Sequence, residues 1–345
     1  MSEQEVPISK ELLEKVLSGI TQDAVLIGGQ ALAVWVTEYN IDITSSSLSG
    51  SISNDADFLG DRKDVAAIAK SVSGKSKYPT ERQITALVGQ VEINVSKTEF
   101  VNIDVLHKVI GIDAASIKRR ATEVHFGSTK FYLMHPLDVL QSRVENLSQL
   151  DSKRNEVGIE QARLAALVAH EYIVSVSKNP DDEGVALKAI EHVASIAKSA
   201  AGRHASRQFG ISFFSAIPRL HIKNEMFQEI RWPRLYVELN KASGINDTGL
   251  INISNGSELV KFLLDNNLQV QHLNTSSKTY TGKILWADEF QAAQSLGKGR
   301  VVIHNISDWP TKLEVNNDLR TIQYKDRVPL LTTLPSIDQG SSLSR

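Results

Sequence analysis

Cysteine is absent from all 345 residues, and that one absence removes disulfides, thiolate-held zinc, iron–sulfur clusters and thiol nucleophiles. A metal in this chain would have to be held by oxygen or by histidine. An excess of one charge sign is missing too. The 38 Lys and Arg stand against 40 Asp and Glu, so no chain-wide field marks a partner as nucleic acid or anionic membrane. Any site for a polyanion must be local. Apolar runs are short, and none approaches the roughly 18 residues of a membrane-spanning helix. The N-terminus, MSEQEVPISKELLEKVL, is acidic and polar where a secretory signal carries basic residues and then an apolar stretch. The expectation is a mature, cytoplasmic chain with no membrane contact. No internal repeat of fixed period is found. Against these absences, 41% hydrophobic and 23% charged residues match an ordinary globular composition, and the length suits two or three domains.

Helical spacing of Leu12, Leu13, Val16, Leu17 and Ile20, with Ser9 as N-cap, predicts a first helix over 8–20. A short apolar run at 24–27 ends in Gly28 and Gly29, after which apolar residues resume without a turn signal: strand, glycine turn, helix. A Ser-rich stretch over 44–54 breaks the pattern, and alternation over 52–59 predicts the next strand. A short helix over 64–72, strands at 91–95, 100–106 and 131–133, and then helices over 136–150, 157–177, 183–201 and 207–217 follow. A further helix over 224–240 is expected to break at Pro233, and the Asn- and Gly-rich 246–256 reads as a boundary. The C-terminal part reads as strands near 280–286 and 300–303 flanking a helix at 289–296. The fold class expected is α+β: a mixed-sheet core over 1–145, a helical domain over 146–245, a small α+β module over 246–331 and a loose tail over 332–345.

Three features carry chemistry. Gly28 and Gly29 sit between strand and helix, where a bare backbone can approach a phosphate and the helix N-terminus favours its charge. Asp55 and Asp57, two apart on a strand, share a face and can hold a hard divalent cation. Asp104 lies in the largely apolar strand VNIDVL and requires a partner if buried. A Gly-Gly helix start facing three carboxylates supplies the parts of a phosphoryl or nucleotidyl transfer site. Each piece alone also reads as an ordinary tight turn or a solvated carboxylate. Other signals fail: His170-Glu171 is followed by Val174 where the zinc-protease motif needs a second His. Ser73-Gly74-Lys75-Ser76 lacks the upstream Gly of a phosphate loop. The basic run Lys118-Arg119-Arg120 reads mainly as a solvated helix face.

The strings VLIGGQALAVW and SNDADFLG, followed by the lone Asp104, resemble the nucleotidyltransferase fold of the DNA polymerase β superfamily. Within it they are most similar to the AbiEii-type toxins of abortive-infection and toxin–antitoxin systems. The resemblance covers about residues 20–145, and it implies a mixed nucleotidyltransferase core. It further implies Gly28 and Gly29 at an NTP triphosphate, Asp55 and Asp57 as ligands of Mg or Mn, and Asp104 as a metal ligand that activates the acceptor hydroxyl. Gln30 stands where the family often has Ser or Thr, its amide taking the place of the hydroxyl. Lys63 and Arg143 add positive charge for the triphosphate. Arg143, Lys153 and Arg154 fall where the AbiEii-like branch has basic residues; its downstream Asp has no match here, and Glu160 is the substitute. The implied substrates are an NTP and a hydroxyl of RNA (tRNA) or protein, with a cognate antitoxin as partner. Two alternatives stay open: a catalytically degenerate binding or plasmid-maintenance protein, and an antibiotic nucleotidyltransferase. The segment TYTGKILWADEFQAAQSLGKGRVVIHNISDW resembles the small domain of plasmid-encoded KfrB-type proteins, which implies a mobile-element context.

Overall fold

The computed structural model describes residues 4–43, 55–80, 84–126, 129–244, 258–271, 273, 278–288, 291–306, 313, 315, 318–325 and 328–333. The chain divides into two compact units, Met1–Gln228 and Glu229–Arg345. In chain order the first contains β1 (Gln4–Glu5), α1 (Lys10–Gly19), β2 (Val25–Ile27), α2 (Gly28–Glu38), β3 (Ala56–Leu59), α3 (Arg62–Val72), β4 (Lys75–Lys77), β5 (Leu87–Asn94) and β6 (Glu99–Leu106). It continues with α4 (Ala114–Arg120), β7 (Thr122–Phe126), β8 (Thr129–Leu133), α5 (Pro136–Gln149), α6 (Glu156–Ser177), α7 (Glu183–Lys198) and α8 (Ala200–Phe209). The mixed α+β architecture expected from the sequence is present. The Ser-rich 44–54 and the 246–256 boundary lie outside the described residues.

One mixed sheet runs β4-β5-β6-β3-β2-β8-β7, with β1 parallel to the start of β6. The pairs β3–β6 and β2–β8 are parallel, while β2–β3, β4–β5, β5–β6 and β7–β8 are antiparallel. Strict alternation in LVGQVEIN and EFVNIDVL sends Val91, Ile93, Val101, Ile103 and Val105 into the core and leaves Gln90, Glu92, Asn102 and Asp104 half-buried on the other face. Helices α1 and α3 pack together, and Val65 of α3 meets the sheet at Gly89, the face opposite Gln90. Ser9 caps α1 by accepting from the Leu12 amide, as its position predicts.

The helices α5 to α8 pack on one another, and α5 and α6 also contact α2, so the helical layer and the sheet belong to one unit. The expected helix over 183–201 ends at Lys198, where Ser199 turns the chain and caps α8 through the Gly202 amide. The expected helix over 207–217 is replaced by the end of α8, closed by Gly210 in the left-handed conformation, and a 3-10 turn at Phe213–Ala216. Among the described residues no helix is long and apolar enough to cross a membrane.

The second unit holds α9 (Trp232–Ala242), α10 (Glu258–Asp265), β9 (Gln269–Gln271), β10 (Thr279–Gly282), β11 (Ile284–Ala287), β12 (Gln291–Gly297), β13 (Arg300–Asn305), β14 (Arg320–Lys325) and β15 (Val328–Thr333). The irregularity expected at Pro233 is present as a π-helical turn over Phe227–Arg231, directly before α9, and Pro233 sits in the first turn of α9. Two sheets form, β11-β12-β13-β9 and β10-β14-β15. The helix expected at 289–296 is instead the strand β12. QAAQSLG has good helix formers, but Ala292, Ala293 and Gln294 are buried between β11 and β13, and tertiary pairing overrides local propensity.

Candidate active site

Register places the sequence-predicted residues in a row. Ile27, the residue before Gly28, pairs with Asp57; Asp57 pairs with Asp104; Asp104 pairs with Gln90; and Gln90 pairs with Lys77. Five adjacent strands thus present one line across the sheet, spanning four strand spacings or roughly 19 Å. Asp55 lies at the entry of β3, two residues before Asp57 and on the same side.

The Gly-Gly turn fits against this row. Gly28 has φ +71°, a conformation that side chains rarely adopt, and a methyl group there would stand 2.2 Å from a carboxylate oxygen of Asp57. Gly28 therefore serves both the turn and the seat of Asp57. It opens α2, whose N-cap Ile27 offers no capping side chain and whose first turn holds no acid. Gly29 is buried beside it, and Gln30 is half-buried in the same turn.

All three aspartates titrate above the ordinary carboxylate range. Burial raises Asp57 most, to about 6, reinforced by Asp104 and Asp55 and opposed by Arg143 and Lys153. Asp55 is raised by burial and then by Glu5 and Asp104, with Lys153 opposing. Asp104 is raised by burial and by Glu5, against the hydrogen bond that Gln90 Nε2 donates to its Oδ1 at 2.8 Å. Gln90 is the partner Asp104 requires. Among the described residues, no three Asp, Glu or His groups stand as a ready-made metal-ligand set. Their donor chemistry, all carboxylate oxygen, nevertheless fits a hard divalent cation.

Arg143 reaches this cluster from α5. Its guanidinium is buried, Nη1 donates to Gln161 Oε1 of α6 at 3.1 Å, and Nε has no hydrogen-bond partner. Burial lowers its pKa and the charge of Asp57 pulls it back. Lys153, in a 3-10 turn after α5, acts on Asp55 and Asp57 through space. Lys63 is not brought to the row, because α3 packs on the opposite face of the sheet. Arg154 is used locally, donating to the carbonyls of Leu147 and Ser148. Glu160 pairs with Arg163 at 3.2 Å.

Glu5 escaped the sequence reading. The two-residue strand β1 sets it alongside β6, where Asn102 Nδ2 donates to its Oε1, and there it raises both Asp55 and Asp104. The buried Oδ1 of Asn102 has no partner. The period-2 pattern of EFVNIDVL could have flagged Asn102, which shares a face with Asp104; a two-residue strand carries no such signal. The basic run resolves into structure: Arg120 forms a two-bonded pair with buried Asp138 of α5, and Arg119 bonds Ser116. The Ser73-Gly74-Lys75-Ser76 segment is a left-handed helix cap leading into β4, not a phosphate loop.

Residues 279–328 match the KfrB domain family. The match runs from β10 to the first residue of β15, inside the second unit, and covers none of the stretch around the aspartates. No curated protein matches the chain. The KfrB segment buries a polar core of its own. His304 Nδ1 lies 2.8 Å from Tyr324 Oη and Nε2 lies 2.9 Å from Gln294 Oε1, while Gln294 Nε2 donates to the carbonyls of Arg320 and Gly282. Because the Gln294 amide nitrogen is engaged with carbonyls, its oxygen must accept. His304 is therefore the neutral tautomer with its proton on Nε2, taking the Tyr324 hydroxyl at Nδ1. Burial holds its pKa down at about 3.

Proposed function

We propose that the first unit is a metal-dependent nucleotidyltransferase of the DNA polymerase β type, moving an NMP from an NTP to a hydroxyl of RNA or protein. The observation that carries this reading is the in-register row from Ile27 and Gly28 through Asp57 and Asp104 to Gln90. The opening amides of α2 receive triphosphate oxygens, and buried Arg143 places a fixed positive charge behind Asp57. Asp55, Asp57 and Asp104 would hold Mg or Mn, which when bound supplies the charge that neutralises both carboxylates and phosphates. Asp104 takes the proton of the acceptor hydroxyl as its oxygen bonds to the α-phosphorus. The bond from that phosphorus to its bridging oxygen breaks, and pyrophosphate leaves. The AbiEii resemblance makes a toxin with a cognate antitoxin the corresponding biological role.

Calorimetry with NTP tests the site. Wild type is expected to bind NTP only with Mg or Mn present, and Asp57→Asn to lose that dependence; equal cation-independent affinity in both overturns the reading.

The KfrB match favours a second reading, a plasmid-maintenance protein that keeps the core for binding alone. Under it, cation-dependent NTP affinity persists without any transferred nucleotide.

A further inference from the structure

A fourth carboxylate stands on the face of the sheet that carries Asp104. Two strands follow one another along the same edge of β6: β1 pairs with Glu99 and Phe100, and β3 pairs with Ile103 to Leu106. Phe100, Asn102 and Asp104 alternate onto one face, and Glu5, the partner of Phe100, points there with them. Backbone bonds from the Gln4 amide to Thr98 and from the Val6 amide to Phe100 hold Glu5 in this register. Asn102 lies between the two acids, and its Nδ2 donates to Glu5 Oε1. A carboxylate only accepts, so this bond fixes the amide with its nitrogen to Glu5 and its oxygen turned away. That oxygen is buried and has no hydrogen-bond partner among the described residues.

We infer that Glu5 and Asn102 belong to the cation site, Glu5 as a carboxylate ligand together with Asp55, and Asn102 Oδ1 as a neutral oxygen ligand beside them. The inference rests on the transfer reading above and deepens it by giving the site two cation positions. One is at Asp57 beside the Gly-Gly turn, the other at Glu5 and Asp55, and Asp104 is common to both. A buried acceptor without a donor points to a bound water or ion. The bond to Asn102 needs only an acceptor oxygen, which a glutamine would supply as well, so it does not account for a negative charge at position 5. That charge is felt at both Asp55 and Asp104, and at Asp55 more strongly than the charge of Asp104 itself. Arg143 and Lys153 offset negative charge at Asp57, and Lys153 at Asp55, whereas Glu5 adds to it. A divalent cation turns that repulsion into ligation. Glu5 is exposed, which suits magnesium, an ion that keeps several waters and takes few carboxylates.

The test is titration of the full chain with MnCl2, with and without NTP, reading unbound Mn by electron paramagnetic resonance. Wild type is expected to bind Mn, and Glu5→Gln and Asn102→Leu to bind it about ten-fold more weakly, with folding of both checked by circular dichroism. Glu5→Gln keeps an acceptor for Asn102 at an exposed position, so its affinity reads the charge and not the hydrogen bond. Wild-type affinity in either folded variant overturns the inference. Nucleotide transfer by wild type is measured separately. Glu5-dependent Mn binding without transfer supports this cation position and overturns the transfer reading, while transfer with Mn binding indifferent to Glu5→Gln overturns this inference alone. No Mn bound by wild type under either condition overturns both.

Discussion

Asp57 and Asp104 stand directly opposite one another in the parallel pairing of β3 and β6. Like charges in that position destabilise a sheet, and burial worsens the cost, as the pKa of about 6 at Asp57 reports. Such a pair is kept where it does something that a neutral pair cannot.

Asp57→Asn should therefore stabilise the cation-free protein at neutral pH. The folded form holds its proton to about pH 6 while an unfolded aspartate releases it near 4, so this group's contribution falls as pH rises between those values. A gain on the order of 1 to 3 kcal/mol in urea melts at pH 7.5, shrinking towards pH 4, is the expected outcome. A loss of stability at pH 7.5 would contradict it.

Gly28→Ala should be costly twice, through the positive φ and through collision of the added methyl group with the Asp57 carboxylate. A destabilisation of about 1 to 3 kcal/mol is expected. Asp57→Gly in the same chain should restore part of it, because the clashing oxygen is gone; denaturant melts of the two variants and their combination measure the coupling.

Arg143→Met removes the buried cation that opposes the raised Asp57. Breaking one side of such a pair costs on the order of 3 kcal/mol while the partner is charged, and less once it is protonated. The penalty in paired denaturant melts should be larger at pH 8 than at pH 5. A penalty independent of pH would show that Arg143 acts by packing alone.

In the KfrB segment the neutral His304 predicts acid lability. An unfolded histidine takes a proton as pH falls through about 6.5, whereas His304 resists until about 3, so stability is full above 6.5 and lost across that window. The loss should approach about 1.4 kcal/mol per pH unit and be flattened in His304→Phe. Tyr324→Phe should cost about 1 kcal/mol without removing the pH dependence, since it deletes only the hydroxyl donated to Nδ1. Amide hydrogen exchange of β12 to β14 reads both.

Much of this was legible in the sequence because the signals were local. The alternation of VNIDVL and the Gly-Gly between strand and helix foretold both the elements and the faces on which Asp57 and Asp104 stand. What escaped depended on partners far along the chain. Strand β1 is two residues long and forms only because β6 offers an edge, so Glu5 was unreadable. Likewise QAAQSLG is helical by propensity and extended by pairing. Lys63 was expected to add charge at the triphosphate, yet α3 packs on the other face of the sheet, which the packing of Val65 on Gly89 reveals.

The central claim is most directly tested by incubating wild type and Asp57→Ala with α-labelled NTPs, Mg or Mn, and total tRNA or lysate. Label transferred by wild type to a hydroxyl-bearing acceptor, and absent with folded Asp57→Ala, is the predicted result. No labelled product from wild type, or equal labelling by the variant, contradicts it.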